Sequence, residues 1–323
     1  LLVFLYAISD FGAVAILRYD TLTRAIEANQ LANRPVALAL SLLLLAIAAV
    51  VVGAERMAQR RRHTATANRS VTPARIPLGR FRIPATAAVV FVLINALGAP
   101  LAALLDWSIR GYTRAQRGGR GLTVDGREIL DVTANTLGVS ALAALITVVT
   151  VFPIAVLVSR YRSPIGSVGH AVAISTFALP GILIALAAKF WTLQWDWTFE
   201  LFNDTMTILV FAYVVRFAAL AMGTTLVAVD AVPDGARDAA RTLGASPLRR
   251  LLSVEVPMMA PGLLAAGGLV LLSTMKELPI SLLLAPIGFE TLATRIFGSF
   301  NESFVTEAGL MALALVALSF VAT

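Results

Sequence analysis

Four charged residues fall inside otherwise apolar stretches: Arg216 near the middle of one, Lys276 and Glu277 together near the end of another, and Asp10 in the first. An ionised group at the centre of a bilayer costs about 2.5–3.5 kcal/mol on insertion scales, so such groups usually face a bundle interior and have a function. We expect them to line a path through the membrane or its gate. Pro279 frees backbone groups beside Lys276 and Glu277, which favours a gate there. The alternative is a buried ion pair, such as Arg216 with Glu277, that fixes helix register.

The sequence holds no constellation for catalysis or metal binding. It has no cysteine and only two histidines, His63 and His170, which excludes thiolate chemistry and an HExxH zinc site. A P-loop needs a glycine directly before its lysine, and neither Lys189 nor Lys276 has one. We therefore predict a non-catalytic subunit without a metal site or cofactor, with any ATP hydrolysis taking place on another chain.

The elements that must position these charges are membrane helices. The chain is 58% hydrophobic and 14% charged, whereas soluble proteins are about 45–50% apolar and about 25% charged. Long uniform apolar runs do not suit alternating barrel strands, so we predict an all-α, polytopic transmembrane bundle. Eight segments are long enough or nearly so: 1–17, 35–54, 84–106, 133–158, 166–190, 205–228, 258–285 and 303–323.

Arginine supplies most of the net charge of +7 and sets the orientation. Arginines cluster in 55–83, 159–165 and 229–257, which predicts that these loops are cytoplasmic. The basic loop 107–131 disagrees, because alternation of the segments places it outside. Basic loops of this kind favour membrane lipid as the partner of the arginines over nucleic acid.

The two ends of the chain resemble each other. SDFGAVAIL and RYDTLTRAI near the start parallel KELPISLLL and APIGFETLATRI near the end, with Asp10 opposite Glu277. Internal repeats are common in transporters, and chance similarity between leucine-rich helices is the alternative. If the repeat is real, 1–54 holds the last two helices of a first half, 55–83 is a basic linker without regular order, and 84–323 is a complete six-helix half. The first and last segments look cut short, as in a fragment of a longer chain.

The loop at 229–257 contains VPDGARDAARTLGASPLRRLLSVEVP. Pro233 suits the first turn of a helix, Gly244 suits its left-handed end, and Ser246-Pro247 suits the cap and first turn of a second short helix. The acidic and basic side chains are spaced to pair at i,i+3. One narrow face carries small residues, which fits a close-packed protein partner; a helix lying on lipid headgroups would need bulky apolar residues instead. That face comprises Ala236, Ala239, Ala240 and Leu243.

This loop resembles the EAA loop of ABC importer permeases. The matching positions are Asp238, Ala239, Ala240, Gly244, Val254 and Pro257, with aspartate in place of the usual glutamate and valines in place of isoleucine and leucine. The block MKELPISLLLAPIGFETLATRIF resembles the iron(III)-type branch, whose members join two six-helix halves.

The resemblance implies a type I importer fold in the bacterial inner membrane. The loop would be a coupling helix seated in a separate cytoplasmic ATPase subunit, and a periplasmic solute-binding protein would deliver the solute. Ferric iron is the expected solute; thiamine, polyamine, phosphonate and sulfate are alternatives within the class. A secondary transporter driven by an ion gradient is the alternative outside it.

Overall fold

The computed structural model describes residues 11–30, 33–62, 79–116, 125–161, 163–176 and 179–323. Within these ranges all regular elements are helices, as predicted. Five helical spans are long and apolar enough to cross a membrane, and the helices at Gly181–Thr192 and Val305–Val321 are apolar but shorter. The five spans are Arg34–Val51, Gly79–Gly111, Gly126–Ser159, Met206–Asp230 and Pro247–Met275.

The described residues form sixteen α-helices. In chain order they are α1 (Gly12–Ile16), α2 (Leu22–Asn29), α3 (Arg34–Arg62), α4 (Arg82–Leu93), α5 (Ala99–Gln116), α6 (Gly126–Ser159), α7 (Pro164–Ser175), α8 (Gly181–Thr192), α9 (Asp196–Phe202), α10 (Met206–Asp230), α11 (Asp234–Thr242), α12 (Pro247–Arg250), α13 (Val256–Met275), α14 (Pro279–Leu284), α15 (Leu292–Asn301) and α16 (Val305–Val321). A 3₁₀ turn at Gly79–Phe81 precedes α4, and π-helical turns at Ile94–Gly98 and Leu251–Glu255 join α4 to α5 and α12 to α13.

Three predicted segments, 133–158, 205–228 and 303–323, correspond to α6, α10 and α16. Two others have different ends. α3 continues to Arg62, into the stretch predicted as linker, because Ala, Glu, Met, Gln and Arg are strong helix formers. The span that contains α4 starts at Gly79 rather than 84 and runs on through α5 to Gln116. The rest of the predicted linker, 63–78, and residues 1–10 of the first segment lie outside the described residues.

Two predicted segments are broken. The segment 166–190 consists of α7 and α8, separated around Pro180, and the segment 258–285 consists of α13 and α14, separated at Lys276–Leu278. Proline has no N–H to donate and restricts the residue before it, so each proline begins a new helix and ends the previous one. Pro180 is the N-cap of α8, and Pro279 is in the first turn of α14.

The centre of the bundle is formed by α6, α10 and α13 with α8 and α14 packed against them. Alanines at the contacts, including the fully buried Ala143, Ala212 and Ala221, let helix backbones approach closely, which is how membrane helices associate without a hydrophobic driving force. A second cluster, built on Phe11, Ile26 and Leu44, holds α1–α3 against α8. The loop 229–257 therefore connects two of these central helices, α10 and α13, and the two breaks adjoin α8 and α14, which pack against them.

The two similar stretches of sequence adopt similar local structure. In the first, α1 is followed by a loop and by α2, whose N-cap Thr21 accepts a hydrogen bond from the Arg24 N–H at 3.4 Å. In the second, α14 is followed by a loop and by α15, whose N-cap Thr291 accepts one from the Thr294 N–H at 3.3 Å. A longer apolar helix follows in both, α3 and α16.

Candidate functional site

The two helix breaks face each other inside the bundle. The first is the stretch up to Pro180 that separates α7 from α8, and the second is the turn Lys276–Leu278. α8 packs directly on α14, and the backbone of Gly181 lies so close to the Glu277 carboxylate that any side chain at position 181 would run into it. The chain thus brings the two ends of these breaks, Pro180-Gly181 and Glu277, together.

Arg216 on α10 contacts the first break. Its guanidinium donates a hydrogen bond to the carbonyl of Leu179. That carbonyl lies just outside α8, whose first turn uses the Pro180 carbonyl instead, with the Leu183 N–H at 3.0 Å. The Nε of Arg216 is buried and has no hydrogen-bond partner among the described residues. Arg216 therefore satisfies the Leu179 carbonyl, which no helix uses, and its Nε–H is a second donor that could bind another group.

Tyr213, one turn earlier on α10, contacts the second break. Its buried hydroxyl lies 2.5 Å from the Ser281 hydroxyl, and Ser281 donates to the Glu277 carbonyl at 2.5 Å. Because Tyr213 and Arg216 are three residues apart, they project from the same side of α10. One helix therefore contacts both breaks.

The predicted path residues are distributed unevenly around this site. Arg216, Glu277 and the buried Pro279 come together at the breaks, whereas the Lys276 side chain is exposed, and Asp10 lies outside the described residues. Tyr213 and Ser281 were not predicted. Tyr213 could have been found from its position three residues before a charge in an apolar helix. The roles of these residues in a path or gate remain predictions.

The loop after α10 forms the predicted helix, and its ends have the predicted chemistry. α11 begins directly after Pro233 and ends in a Schellman motif, in which Gly244 has φ +76°. The Gly244 N–H donates to the Arg241 carbonyl at 2.9 Å, and the Ala245 N–H donates to the Ala240 carbonyl at 3.0 Å. These two bonds satisfy carbonyls at the end of the helix. The predicted i,i+3 pairs also form, Arg237 with Asp234 and Arg241 with Asp238, the latter at 3.7 Å.

Two expectations about the loop need correction. The small-residue face does not point one way: Ala240 is buried against the protein, while Ala239 is exposed and Leu243 is 87% exposed. Arg237 lies on the same side of α11 as Ala240 and lines a cavity together with Arg160, Arg250 and Glu255.

The second correction concerns the helix after Gly244. It begins as predicted, with Ser246 accepting from the Arg249 N–H at 3.4 Å, but it is not a separate short helix. It passes through the π-turn into α13, giving one rod of 29 residues, Pro247–Met275. The half-buried Val254 and the exposed Pro257 lie within this rod. Pro257 has no N–H for the usual helical hydrogen bond. The π-turn at Leu251–Glu255, just before it, shifts the hydrogen-bonding pattern at this point of the helix.

A buried ionic cluster at the base of the loop was also not predicted. Glu255 is only 2% exposed and pairs with both Arg160 and Arg250, the latter with Nε at 2.9 Å. Arg160 also donates to the Val229 carbonyl at 3.3 Å. Burial lowers the pKa of the Arg160 guanidinium, and the nearby charge of Arg237 lowers it further. A carboxylate between two valines, as at Glu255, was a signal that could have been followed, but its partner Arg160 is 95 residues away.

The sequence is similar to known proteins and matches one protein family. Residues 151–323, more than half of the chain, match the family described as binding-protein-dependent transport system inner membrane component. Over 99% of its length the chain is 28% identical to the Fe(3+)-transport system permease protein FbpB 2 of Haemophilus influenzae, and it spans 62% of that protein. It is 29% identical to the putative 2-aminoethylphosphonate transport system permease protein PhnU of Salmonella typhimurium, covering 71% of this chain and 86% of that one. Because the family model matches more than half of the chain, this chain belongs to the family of binding-protein-dependent transport inner-membrane components, the ABC importer permeases of the inner membrane.

Proposed function

We propose that this chain forms the translocation path of an ATP-driven importer of ferric iron and that its loop 229–257 couples the path to a separate ATPase subunit. The observation that carries the proposal is α11, a short helix closed at Gly244 and presenting Ala239 and Leu243 to the exterior. This exposed face carries one leucine beside an alanine, too little bulky apolar surface for a helix that lies on lipid headgroups, which favours a protein socket as its partner.

In this proposal the facing breaks form the gate of the path. Breaks in membrane helices leave backbone groups available to a solute, and they occur near transport paths for that reason. Arg216, Glu277 and Pro279 lie at the breaks, Lys276 belongs to the second break with its side chain exposed, and Asp10 is the counterpart of Glu277 in the sequence repeat. Solute recognition would be shared with a periplasmic binding protein on the outer side, and ATP hydrolysis would take place on the partner subunit.

The chain would carry the end of one permease half and all of another. We propose that 1–54 is the end of the first half, that the basic stretch 55–83 is a cytoplasmic connection, and that 84–323 is the second half. The matching N-caps at Thr21 and Thr291, each after a short helix, support this division. The first half's α1 also contacts the second half's α15, with the rings of Phe11 and Phe297 5.9 Å apart.

Two solutes have support from relatives. Ferric iron is favoured because the similarity to the Haemophilus iron permease extends over 99% of this chain. The phosphonate 2-aminoethylphosphonate is the second candidate, because PhnU matches 71% of the chain at similar identity.

Uptake by the purified permease–ATPase complex in proteoliposomes tests the proposal. We expect ATP-dependent uptake of ⁵⁵Fe³⁺ presented on its binding protein, and none of labelled 2-aminoethylphosphonate presented on its own. The reverse result would move the chain to the phosphonate branch. Iron uptake driven by an ion gradient without ATP would contradict the importer class and indicate a secondary transporter.

A further inference from the structure

One buried carboxylate joins three parts of the chain at the base of the loop. The side chains of Glu255, Arg160 and Arg250 are 3%, 8% and 11% exposed, and both arginines pair with Glu255. Arg160 is the C-cap of α6 and also donates to Val229 near the end of α10. The cytoplasmic ends of α6 and α10 are thus tied to the start of the rod that contains α13.

The same cluster extends to α11. Arg237, which pairs with Asp234 in the first turn of α11, lines a cavity of about 360 Å³ together with Arg160, Arg250 and Glu255. The Nε atoms of Arg160 and Arg237 are buried and have no hydrogen-bond partner among the described residues. There is therefore both space and unused donor capacity for these arginines to change partners when α11 moves.

Two of the helices that leave this cluster lead to the two breaks. α10 carries Arg216 and Tyr213, which contact the first and second break respectively. α13 has 20 residues and ends at Met275, directly before the second break, about 30 Å away at 1.5 Å per residue. A displacement at the base can therefore reach both breaks along continuous helices.

We propose that Arg160 and Glu255 are positioning residues that lock the loop to α6, α10 and α13, so that force applied to α11 moves the helix breaks. The proposal rests on the proposed coupling function. A buried charge pair is weak support for stability, because apolar replacements of both partners are often tolerated, whereas removing one partner leaves an uncompensated buried charge. The lock therefore contributes geometry rather than stability, because it fixes the positions of the loop, α6, α10 and α13 relative to one another.

The test uses the complete permease–ATPase complex in lipid nanodiscs with spin labels at Glu200→Cys and Asn301→Cys. Both positions are exposed, on α9 and α15 at the far end of the bundle from the loop, and the chain has no cysteine of its own. The measured quantities are retention of the ATPase, the melting temperature, and the change in label–label distance on adding ATP with vanadate.

Three variants are compared with the labelled parent. Glu255→Gln removes the carboxylate charge that Arg160 and Arg250 share, Arg160→Gln/Glu255→Gln also removes one of the two arginine charges left without a counter-charge, and Asp131→Asn neutralises an exposed carboxylate at the other end of α6. We expect Glu255→Gln to retain the ATPase and lose the ATP-driven distance change. The double variant should recover part of the melting temperature that Glu255→Gln loses and still lack the distance change, and Asp131→Asn should behave as the parent.

A normal distance change in Glu255→Gln would overturn the proposal. So would a double variant that recovers the distance change together with stability, or one that fails to fold, because either result would make the cluster merely structural. Failure of the unmodified permease to retain the ATPase is a different result, which would contradict the proposed coupling function itself.

Discussion

The loop 229–257 and the facing helix breaks hold their shapes by different means. The outer ion pair of the loop, Arg241 with Asp238, has side chains 65% and 68% exposed, so it contributes only a few tenths of a kcal/mol. Its shape depends on the backbone instead, through the left-handed Gly244. At the breaks, the hydroxyl of Tyr213 and the guanidinium of Arg216 lie within an apolar bundle. Because no water is available in a membrane interior to pair with backbone groups, these side chains supply the hydrogen bonds instead.

The difference indicates that the two regions should fail in different ways. Changes at the breaks should stop the passage of solute and leave the ATPase bound. Changes to the backbone of the loop should release the ATPase and leave the membrane bundle intact. Loss of the exposed ion pair between Arg241 and Asp238 should do little of either.

The largest effect is expected at the first break. Arg216→Met keeps most of the side-chain volume but leaves the Leu179 carbonyl without its donor, and an unpaired backbone group in a membrane interior costs several kcal/mol. We expect ATP-dependent solute uptake in proteoliposomes to fall at least about tenfold, with retention of the ATPase unchanged. Loss of ATPase binding in this variant would break the separation between the two regions.

A smaller effect is expected where α10 packs on α13, between the loop and the breaks. A Cβ at Gly262 would lie 2.5 Å from the Ala228 Cβ and 3.2 Å from its Cα, whereas a Cβ at Gly268 on the same helix meets nothing within 4 Å. Gly262→Ala should lower the free energy of unfolding by about 1–3 kcal/mol through overpacking. Gly268→Ala is the matched control and should not lower it. Denaturant unfolding in detergent measures both, and equal effects would contradict the packing of α10 on α13.

The smallest effect is expected on the outer surface of the loop. Arg241→Ala removes the exposed pair with Asp238 and should change the free energy of unfolding by less than about 0.5 kcal/mol. Retention of the ATPase should stay within a factor of two of the unmodified permease in a pull-down. A complete loss of retention would show that the charge itself, rather than the backbone shape of the loop, carries the interaction.

The sequence predicted the parts of the molecule that depend on near neighbours. Pro233, Gly244 and Ser246 mark the ends of helices through contacts within five residues, so the loop could be recognised before its structure was known. Pro279 was also seen as a break. Pro180 was not, because hydropathy alone does not distinguish a continuous membrane helix from two half-helices of similar composition.

Long-range partners could not be predicted in the same way. Arg216 meets a carbonyl 37 residues away and Tyr213 meets a hydroxyl 68 residues away, and no local pattern specifies either contact. The inward direction of Ala240 was missed for the same reason, because it depends on how α11 packs against the rest of the chain. Charge in an apolar stretch identified Arg216 and Glu277 as important, and only the packing of α8, α10 and α14 brought them to one place.

The most direct test of the coupling function uses two glycines with the same backbone strain at different positions. Gly244 in the loop has φ +76° and Gly288 in the connection between α14 and α15 has φ +82°, and neither has an atom near its missing Cβ. A valine at either site must adopt a left-handed conformation that is unfavourable for a β-branched residue.

In a pull-down of the ATPase subunit by tagged permease, we predict that Gly244→Val loses the ATPase and that Gly288→Val retains it at the level of the unmodified chain. Retention by Gly244→Val equal to that of Gly288→Val would contradict the account of the loop as the site where the ATPase acts.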